Sequence, residues 1–166
     1  MAIKVAFIGA GSVGFTRTLV RDILTVPELH DTQFSFHDIS KRNLDIVKQL
    51  CTKDIKANKL PAKITSNMDR KKALDGADYV INCTRIGGLE AFATDIDIPL
   101  KYGVDQCVGD TICAGGIMYG QRNIPQITAF ARDMKQVAAD DVLFLNYANP
   151  MAMNTWACLD LYDQGE

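Results

Sequence analysis

Near its start the chain reads Ile3-Lys4-Val5-Ala6-Phe7-Ile8-Gly9-Ala10-Gly11-Ser12-Val13-Gly14, an apolar run that ends in three spaced glycines. The spacing is G-x-G-x-x-G, directly after a predicted strand and before a predicted helix. In this pattern Gly9 takes a tight turn, Gly11 lets a pyrophosphate approach the backbone, and Gly14 lets the helix pack close to the strand. The N–H groups at the helix start attract phosphate. The stretch therefore predicts a dinucleotide site, and the alternative is a glycine turn needed for packing alone.

An acidic residue follows at the end of a second predicted strand, Phe34-Ser35-Phe36-His37-Asp38. Asp38 would accept hydrogen bonds from the adenosine ribose and repel a 2′-phosphate, which favours NAD over NADP. The nearby cations Lys41 and Arg42 leave NADP open. The alternative for Asp38 is an acid at a helix N-terminus.

Composition limits the class of protein and its partners. The 166 residues are 48% hydrophobic and 23% charged with a net charge of −2, which is typical of one ordinary globular domain. We expect no nucleic-acid partner, because there is no basic excess, and no membrane partner, because no apolar run reaches about 18 residues. The five cysteines lack CxxC spacing, and the N-terminus does not resemble a signal peptide, so we expect a cytoplasmic protein.

Apolar runs and helical periodicities alternate along the chain, which predicts an α/β fold. We expect one Rossmann-like domain over residues 1–166, with a doubly wound parallel sheet, helices on both faces, and similarity to the NAD domain of lactate and malate dehydrogenases. Residues 84–116 are expected to be less regular. The predicted strands are 3–8, 33–38, 63–66, 79–83 and 142–147, and the predicted helices are 13–26, 41–58, 70–75, 117–138 (with a possible interruption near Pro125) and 151–163.

Four further candidate residues follow the later strands or lie in the glycine-rich region. The backbone at Cys83 would pass near the nicotinamide half of a cofactor. Arg85 would hold an anionic or polyhydroxy substrate, or is a surface arginine. Asp110 would raise the basicity of a neighbouring group, or caps the next helix. Asn149 would present its amide to a substrate hydroxyl, or makes an Asx turn before Pro150, with a peptide bond that is a candidate for the cis form.

The chain carries a series of motifs in the following order: Gly9–Gly14, Asp38, Ile86-Gly87-Gly88, Gly109-Asp110-Thr111, Ala114-Gly115-Gly116-Ile117-Met118, Arg122-Asn123-Ile124-Pro125 and Asn146 to Trp156. Together these motifs resemble the NAD- and manganese-dependent family 4 glycoside hydrolases over the whole chain. The most specific stretch, Asn149 to Trp156, is most similar to the melibiase-type α-galactosidases of that family.

The resemblance implies hydrolysis of α-galactosides by a redox-elimination mechanism, outside the usual two-carboxylate scheme. NAD takes hydride from C3 of the sugar, a tyrosine removes the C2 proton, the aglycone leaves, water adds, and the hydride returns. By the same resemblance Arg85 and Asn149 bind substrate, and Asp110 raises the basicity of the tyrosine. The candidate cofactor-binding residues are Gly9, Gly11, Ser12, Val13, Gly14, Asp38, Arg42 and Cys83.

Length and one loop depart from the family pattern. Members are far longer, and their metal-binding Cys and His and their catalytic Tyr correspond to positions after Glu166, so we expect no metal ligand in this chain. We therefore expect an N-terminal piece that lacks the catalytic and metal-binding domain, binds NAD weakly and hydrolyses nothing alone. The whole enzyme is expected to be a dimer or tetramer. Cys113-Ala114-Gly115-Gly116 stands where the family usually has Gly-Pro-Gly-Gly.

Two other functions stay open at this point. One is a lactate/malate-type NAD-dependent dehydrogenase, which would need a catalytic His and would make net NADH. The other is a non-enzymatic NAD-binding module.

Overall fold

The structure is a computed structural model and describes residues 2–163. The described residues form five strands and six α-helices that alternate through the first half of the chain. The strands are β1 (Lys4–Ile8), β2 (Gln33–His37), β3 (Lys63–Asn67), β4 (Tyr79–Asn82) and β5 (Leu143–Asn146). The helices are α1 (Val13–Ile23), α2 (Lys41–Ala57), α3 (Arg70–Leu74), α4 (Gly88–Leu100), α5 (Ala114–Val137) and α6 (Met151–Asp163).

The strands form one sheet in the order β3-β2-β1-β4-β5. β1 pairs in parallel with β2 and with β4, and β2 pairs in parallel with β3. In this register Phe7 lies beside Phe36 on one side and beside Ile81 on the other. Parallel pairing brings the carboxyl ends of these strands to one edge of the sheet. The predicted α/β fold with a parallel sheet is confirmed.

Aromatic residues of β1 and β2 form the centre of the core. The rings of Phe7 and Phe36 meet edge to face with centroids 5.5 Å apart. Helices α1 and α2 cover this face of the sheet through apolar residues at helical spacing, which are fully buried: Val20, Leu44, Val47 and Cys51. Since neighbouring strand residues point to opposite faces, the burial of Ala6 and Ile8 shows that the other face of β1 is also covered.

The chain divides into two compact units. The sheet unit contains the residues up to Thr84 together with Asp133–Leu145, and it holds β1 to β4, α1 to α3 and most of β5. The helical unit contains Arg85–Arg132 and the residues from Asn146 onward, with α4, most of α5, and α6. Within residues 2–163 no helix is long and apolar enough to cross a membrane.

The largest difference from the sequence prediction is helix α4, which lies in the stretch expected to be irregular. It starts after Gly87, whose φ of +87° is left-handed, and it contains Pro99 one residue before its end. Its buried residues are Asp95 and Pro99. The helix therefore has no stripe of buried aliphatic side chains, which is the signal that periodicity detects.

Helix α5 also differs from its prediction, because it starts at Ala114 and continues through Pro125. Its first turn includes Gly115 and Gly116, which reduce helix propensity. A Cβ on Gly116 would lie 2.4 Å from the carbonyl carbon of Thr111, so a glycine is required where the preceding loop crosses this turn. The interruption considered near Pro125 does not occur.

The buried imidazole at the end of β2 predicts a pH dependence of stability. Burial lowers the pKa of His37 against the opposing effect of its contact with the Asn67 carbonyl oxygen, 3.2 Å from Nδ1. Because the folded-state pKa lies below the unfolded value, the unfolded chain binds more protons as the pH falls through about 6.5. We expect the free energy of unfolding, measured with urea at pH 7.5 and 5.5, to fall more for the wild type than for His37→Gln. The control is His30→Gln, at the other histidine of the chain. Equal losses in the wild type and in His37→Gln would contradict the prediction.

Candidate functional site

The glycine turn after β1 is held by backbone on two sides. The carbonyl of His37 accepts from the N–H groups of Gly9 and Ala10 at 3.0 and 2.9 Å. On the other side, a Cβ on Gly9 would lie 2.9 Å from the carbonyl carbon of Cys83 and from the nitrogen of Thr84. The φ of Gly9 is +84°, in the left-handed region. Gly9 therefore makes the tight turn that its place in the sequence pattern predicts.

The carboxylate of Asp38 joins the end of β2 to this turn. Its Oδ2 accepts from the Gly11 N–H at 2.8 Å, and its Oδ1 accepts from the Ser40 N–H at 2.7 Å. A Cβ on Gly11 would lie 2.7 Å from Oδ2, so the close approach requires a glycine. Asp38 is half-buried, and each ionised oxygen can accept more than one hydrogen bond. The sequence did not indicate that the predicted ribose ligand also organises the glycine turn.

Helix α1 begins with unpaired N–H groups. Ser12 occupies the N-cap position without a side-chain hydrogen bond to the helix, and the first turn has no acidic residue. Among residues 2–163, the N–H groups of Ser12, Val13 and Gly14 meet no acceptor. Such a helix start, about half a positive charge by the macrodipole, suits an anion.

The packing role expected of Gly14 is wrong for this chain. A Cβ built on Gly14 would find no atom within 4 Å, so nothing in the described residues forces a glycine there. Thr16, in the first turn of α1, is fully enclosed, whereas Gly14 is exposed. Gly14 leaves open space beside the helix start rather than a close helix–strand contact.

The other two predicted cofactor residues lie near this turn in the sheet unit. Arg42 is exposed in the first turn of α2. The side chain of Cys83 packs against the core, and burial raises the pKa of its thiol to about 12. Its side chain is therefore a core group, and its backbone is what approaches Gly9.

In the helical unit, three residues predicted separately from the sequence lie together. The Asp110 carboxylate is buried, and its Oδ2 accepts from Asn149 Nδ2 at 3.3 Å and faces Arg85 Nη2 at 3.7 Å. Its Oδ1 accepts from the hydroxyl of Thr111 at 3.2 Å. Arg85 and Asn149 are both exposed. The cluster thus presents two donor side chains to solvent over a carboxylate that fixes their orientation.

Aromatic rings flank the guanidinium of Arg85. It lies 4.8 Å from the ring centroid of Phe92 and 5.7 Å from that of Tyr119. A guanidinium over aromatic faces keeps its charge and its in-plane donors while its faces are shielded. Arg85 is therefore held in place rather than extended freely into solvent.

The peptide bond between Asn149 and Pro150 is cis. The backbone carbonyl of Asn149 accepts from Asn123 Nδ2 at 3.2 Å, and the same amide group donates to the Tyr119 carbonyl at 3.1 Å. Asn123 is buried. A side chain of α5 thus fixes the backbone that presents Asn149.

Sequence reasoning missed the ion pair of Asp95 with Arg122. Arg122 Nη1 and Nη2 donate to the two carboxylate oxygens of Asp95 at 3.2 and 2.5 Å, and Arg122 Nε donates to the Ile86 carbonyl at 3.0 Å. This hydrogen bonding raises the pKa of Arg122. The sequence indicated only one partner of this ion pair. Arg122 lies in one of the motifs of the family resemblance, whereas Asp95 lies in the stretch that was expected to be irregular.

Within the described residues, no group of three His, Cys, Asp or Glu side chains could hold a metal ion. The His, Cys, Asp and Glu side chains of residues 2–163 therefore do not fit a manganese site.

The sequence profile of the family 4 glycosyl hydrolases matches residues 4–165. The chain belongs to this family. An α-galactosidase of Rhizobium meliloti (strain 1021) is 60% identical over 157 residues, which cover 95% of this chain and 32% of that protein. The 6-phospho-β-glucosidase of Thermotoga maritima, solved with manganese, NAD+ and glucose-6-phosphate, superposes with a TM-score of 0.79 at 28% identity, over 89% of this chain and 34% of that one.

The lactate dehydrogenase of Eimeria maxima shares the fold alone, with a TM-score of 0.65 at 13% identity over 98% of this chain and 40% of that one. The predicted similarity to dehydrogenase NAD domains is confirmed at the level of the fold. This family 4 chain spans about a third of the length of the α-galactosidase that it matches.

We expect alanine substitutions at the two outer glycines of the turn, Gly9 and Gly14, to have opposite effects on the free energy of unfolding. Gly9→Ala places a Cβ against the Cys83 backbone at a positive φ, which we expect to cost about 2 kcal/mol or more. Gly14→Ala adds a methyl group in open space within a helix, which we expect to stabilise by about 0.5 kcal/mol. Urea unfolding followed by circular dichroism measures both. A stable Gly9→Ala protein would contradict the assigned packing.

Proposed function

We propose that this chain is the NAD-binding part of an NAD-dependent α-galactosidase. The observation that carries the proposal is the 60% identity to an α-galactosidase over nearly the whole chain. The glycine turn with its Asp38 carboxylate supports the cofactor part, and the Arg85–Asp110–Asn149 cluster supports the sugar part.

The sheet unit fits the cofactor. The unpaired N–H groups of Ser12, Val13 and Gly14 would bind the pyrophosphate, and Gly14 leaves space beside them. Asp38 would accept from the ribose hydroxyls with the lone pairs that Gly11 and Ser40 leave free. When bound, NAD supplies reversible acceptance of a hydride from a sugar carbon.

The helical unit carries donors suited to a sugar. Asn149 and Arg85 are exposed and would donate to sugar hydroxyls, while Asp110 beneath them fixes the amide and the guanidinium. A buried carboxylate that already accepts several hydrogen bonds is a rigid support. We also propose, from the family resemblance, that Asp110 raises the basicity of a catalytic tyrosine located after Glu166.

The dehydrogenase alternative has weaker support. The likeness to lactate dehydrogenase is one of fold, whereas the family profile covers residues 4–165. A cytoplasmic location, a dimeric or tetrameric assembly and the lack of a nucleic-acid partner belong to the same proposal. They rest on composition and on the family resemblance.

Cofactor choice tests the role of Asp38. By isothermal titration calorimetry we expect the chain to bind NAD at least about tenfold more tightly than NADP, because the carboxylate repels a 2′-phosphate. Asp38→Asn keeps the side-chain shape but removes the charge, so the preference should shrink. Asp31→Asn, at an exposed acid, is the matched control and should keep it. Equal binding of NAD and NADP by the wild type would contradict this role.

Activity tests the proposed function in the complete protein. We expect hydrolysis of p-nitrophenyl-α-galactoside that requires NAD and a divalent metal and accumulates no NADH. Asn149→Ala and Asp110→Asn should each lower kcat/KM by about 100-fold or more, because both disturb the sugar-binding cluster. Residues 1–166 alone should hydrolyse nothing. Net NADH production from 2-hydroxy acids, without glycoside cleavage, would favour the dehydrogenase instead.

A further inference from the structure

We propose that Arg122 and Asp95 form a positioning pair that sets the place of Arg85 in the sugar-binding cluster. This inference rests on the proposed function, because it assigns a role within the same site. Within residues 2–163, neither Arg122 nor Asp95 forms a hydrogen bond or ion pair with Asp110 or Asn149.

The guanidinium of Arg122 contacts both Asp95 and the backbone next to Arg85. Its guanidinium uses both terminal nitrogens on Asp95 and its Nε on the carbonyl of Ile86. Ile86 is the residue directly after Arg85. The guanidinium of Arg122 therefore links α5 to α4 through Asp95. It also holds the turn that carries Arg85, through the carbonyl of Ile86.

The turn after Arg85 packs tightly against Arg122. Gly87 has a φ of +87°, and a Cβ there would lie 2.8 Å from Arg122 Nε and 2.5 Å from the Ala91 Cβ. The Gly88 N–H also donates to the Arg85 carbonyl at 3.1 Å, which closes the turn. Arg122 thus occupies the space that a side chain at Gly87 would need, and the turn has little freedom to move while Arg122 is in place.

The ring of Tyr119 lies near both guanidinium groups. Tyr119 is buried, and its ring centroid lies 5.1 Å from Arg122 and 5.7 Å from Arg85. Two cations near one ring repel each other, and a carboxylate beside each cation offsets this repulsion. Asp95 forms an ion pair with Arg122, and Asp110 forms one with Arg85. The positions of the two arginines are therefore coupled through Tyr119 and the two carboxylates.

Burial makes the ion pair of Asp95 with Arg122 strong enough to position the turn that carries Arg85. The side chain of Asp95 is 5% exposed and that of Arg122 is 28% exposed, so solvent screens the pair little. A lysine at position 122 would keep a charge opposite Asp95, but its single ammonium group cannot reproduce the fork that also reaches Ile86. Arg122→Lys therefore separates the positioning role from the ion pair.

The test compares Arg122→Lys with Arg17→Lys in the complete protein with NAD and manganese. Arg17 also contacts an aspartate, Asp54, through two hydrogen bonds, but it belongs to the sheet unit, which makes it a matched control. One readout is the rate at which phenylglyoxal modifies Arg85, followed by peptide mass spectrometry. The second is KM and kcat for p-nitrophenyl-α-galactoside, with the Kd for NAD as an internal reference.

For Arg122→Lys we expect modification of Arg85 to be about threefold faster or more, and KM to rise about tenfold, the factor for losing a hydrogen bond from a charged group. The fall in kcat should be smaller, and the Kd for NAD should not change. Arg17→Lys should match the wild type in all readouts. If Arg122→Lys matches the wild type in both the labelling of Arg85 and KM, the positioning role is wrong and the pair is structural.

A failure of the proposed function can be distinguished from a failure of the positioning role. If the wild type hydrolyses no α-galactoside, that proposal fails, and the labelling of Arg85 alone decides the inference. If Arg122→Lys does not fold, Asp95→Asn takes its place, since it keeps the side-chain shape and removes the charge that orients Arg122. Unchanged labelling of Arg85 in that variant would likewise overturn the positioning role.

Discussion

The close backbone contact at Gly9 is the constraint on which the sheet unit depends. The turn after β1 is bonded to the His37 carbonyl on one side and lies against the Cys83–Thr84 peptide on the other, with no room for a Cβ between them. Because β2 and β4 flank β1, this contact brings the ends of three parallel strands to one turn. The N–H groups of Ser12, Val13 and Gly14 at the start of α1 meet no acceptor among residues 2–163, and such a helix start suits an anion.

The sequence predicted well those elements in which a close backbone contact requires a glycine or burial in the core requires an apolar run. Gly9 and Gly11 are fixed by close approach of other atoms, and the strands carry apolar runs that the sheet buries. Helix α4 escaped detection because a buried acid, Asp95, occupies the place where periodicity expects an aliphatic residue. The ion pair with Arg122 is a long-range contact, and a single sequence holds no signal that joins two such positions.

Asp38 shows that one residue can satisfy a sequence pattern for two physical reasons. The pattern assigns it to a ribose, yet in the fold its two oxygens also hold the Gly11 and Ser40 N–H groups. Gly14 shows the opposite case, since the packing reason attached to its position does not apply and open space remains. A motif therefore identifies a position reliably while leaving its physical cause to be read from the structure.

Charge balance explains what kind of ligand the helical unit suits. Asp95 and Asp110 face Arg122 and Arg85, so these four groups carry no net charge and each buried carboxylate has a partner. A cluster without net charge has no Coulomb attraction of its own for an anionic ligand. A neutral polyhydroxy ligand needs oriented donors instead, and the guanidinium of Arg85 and the amide of Asn149 are held in that way by Asp110. The electrostatics of the cluster therefore support the sugar-binding part of the proposed function.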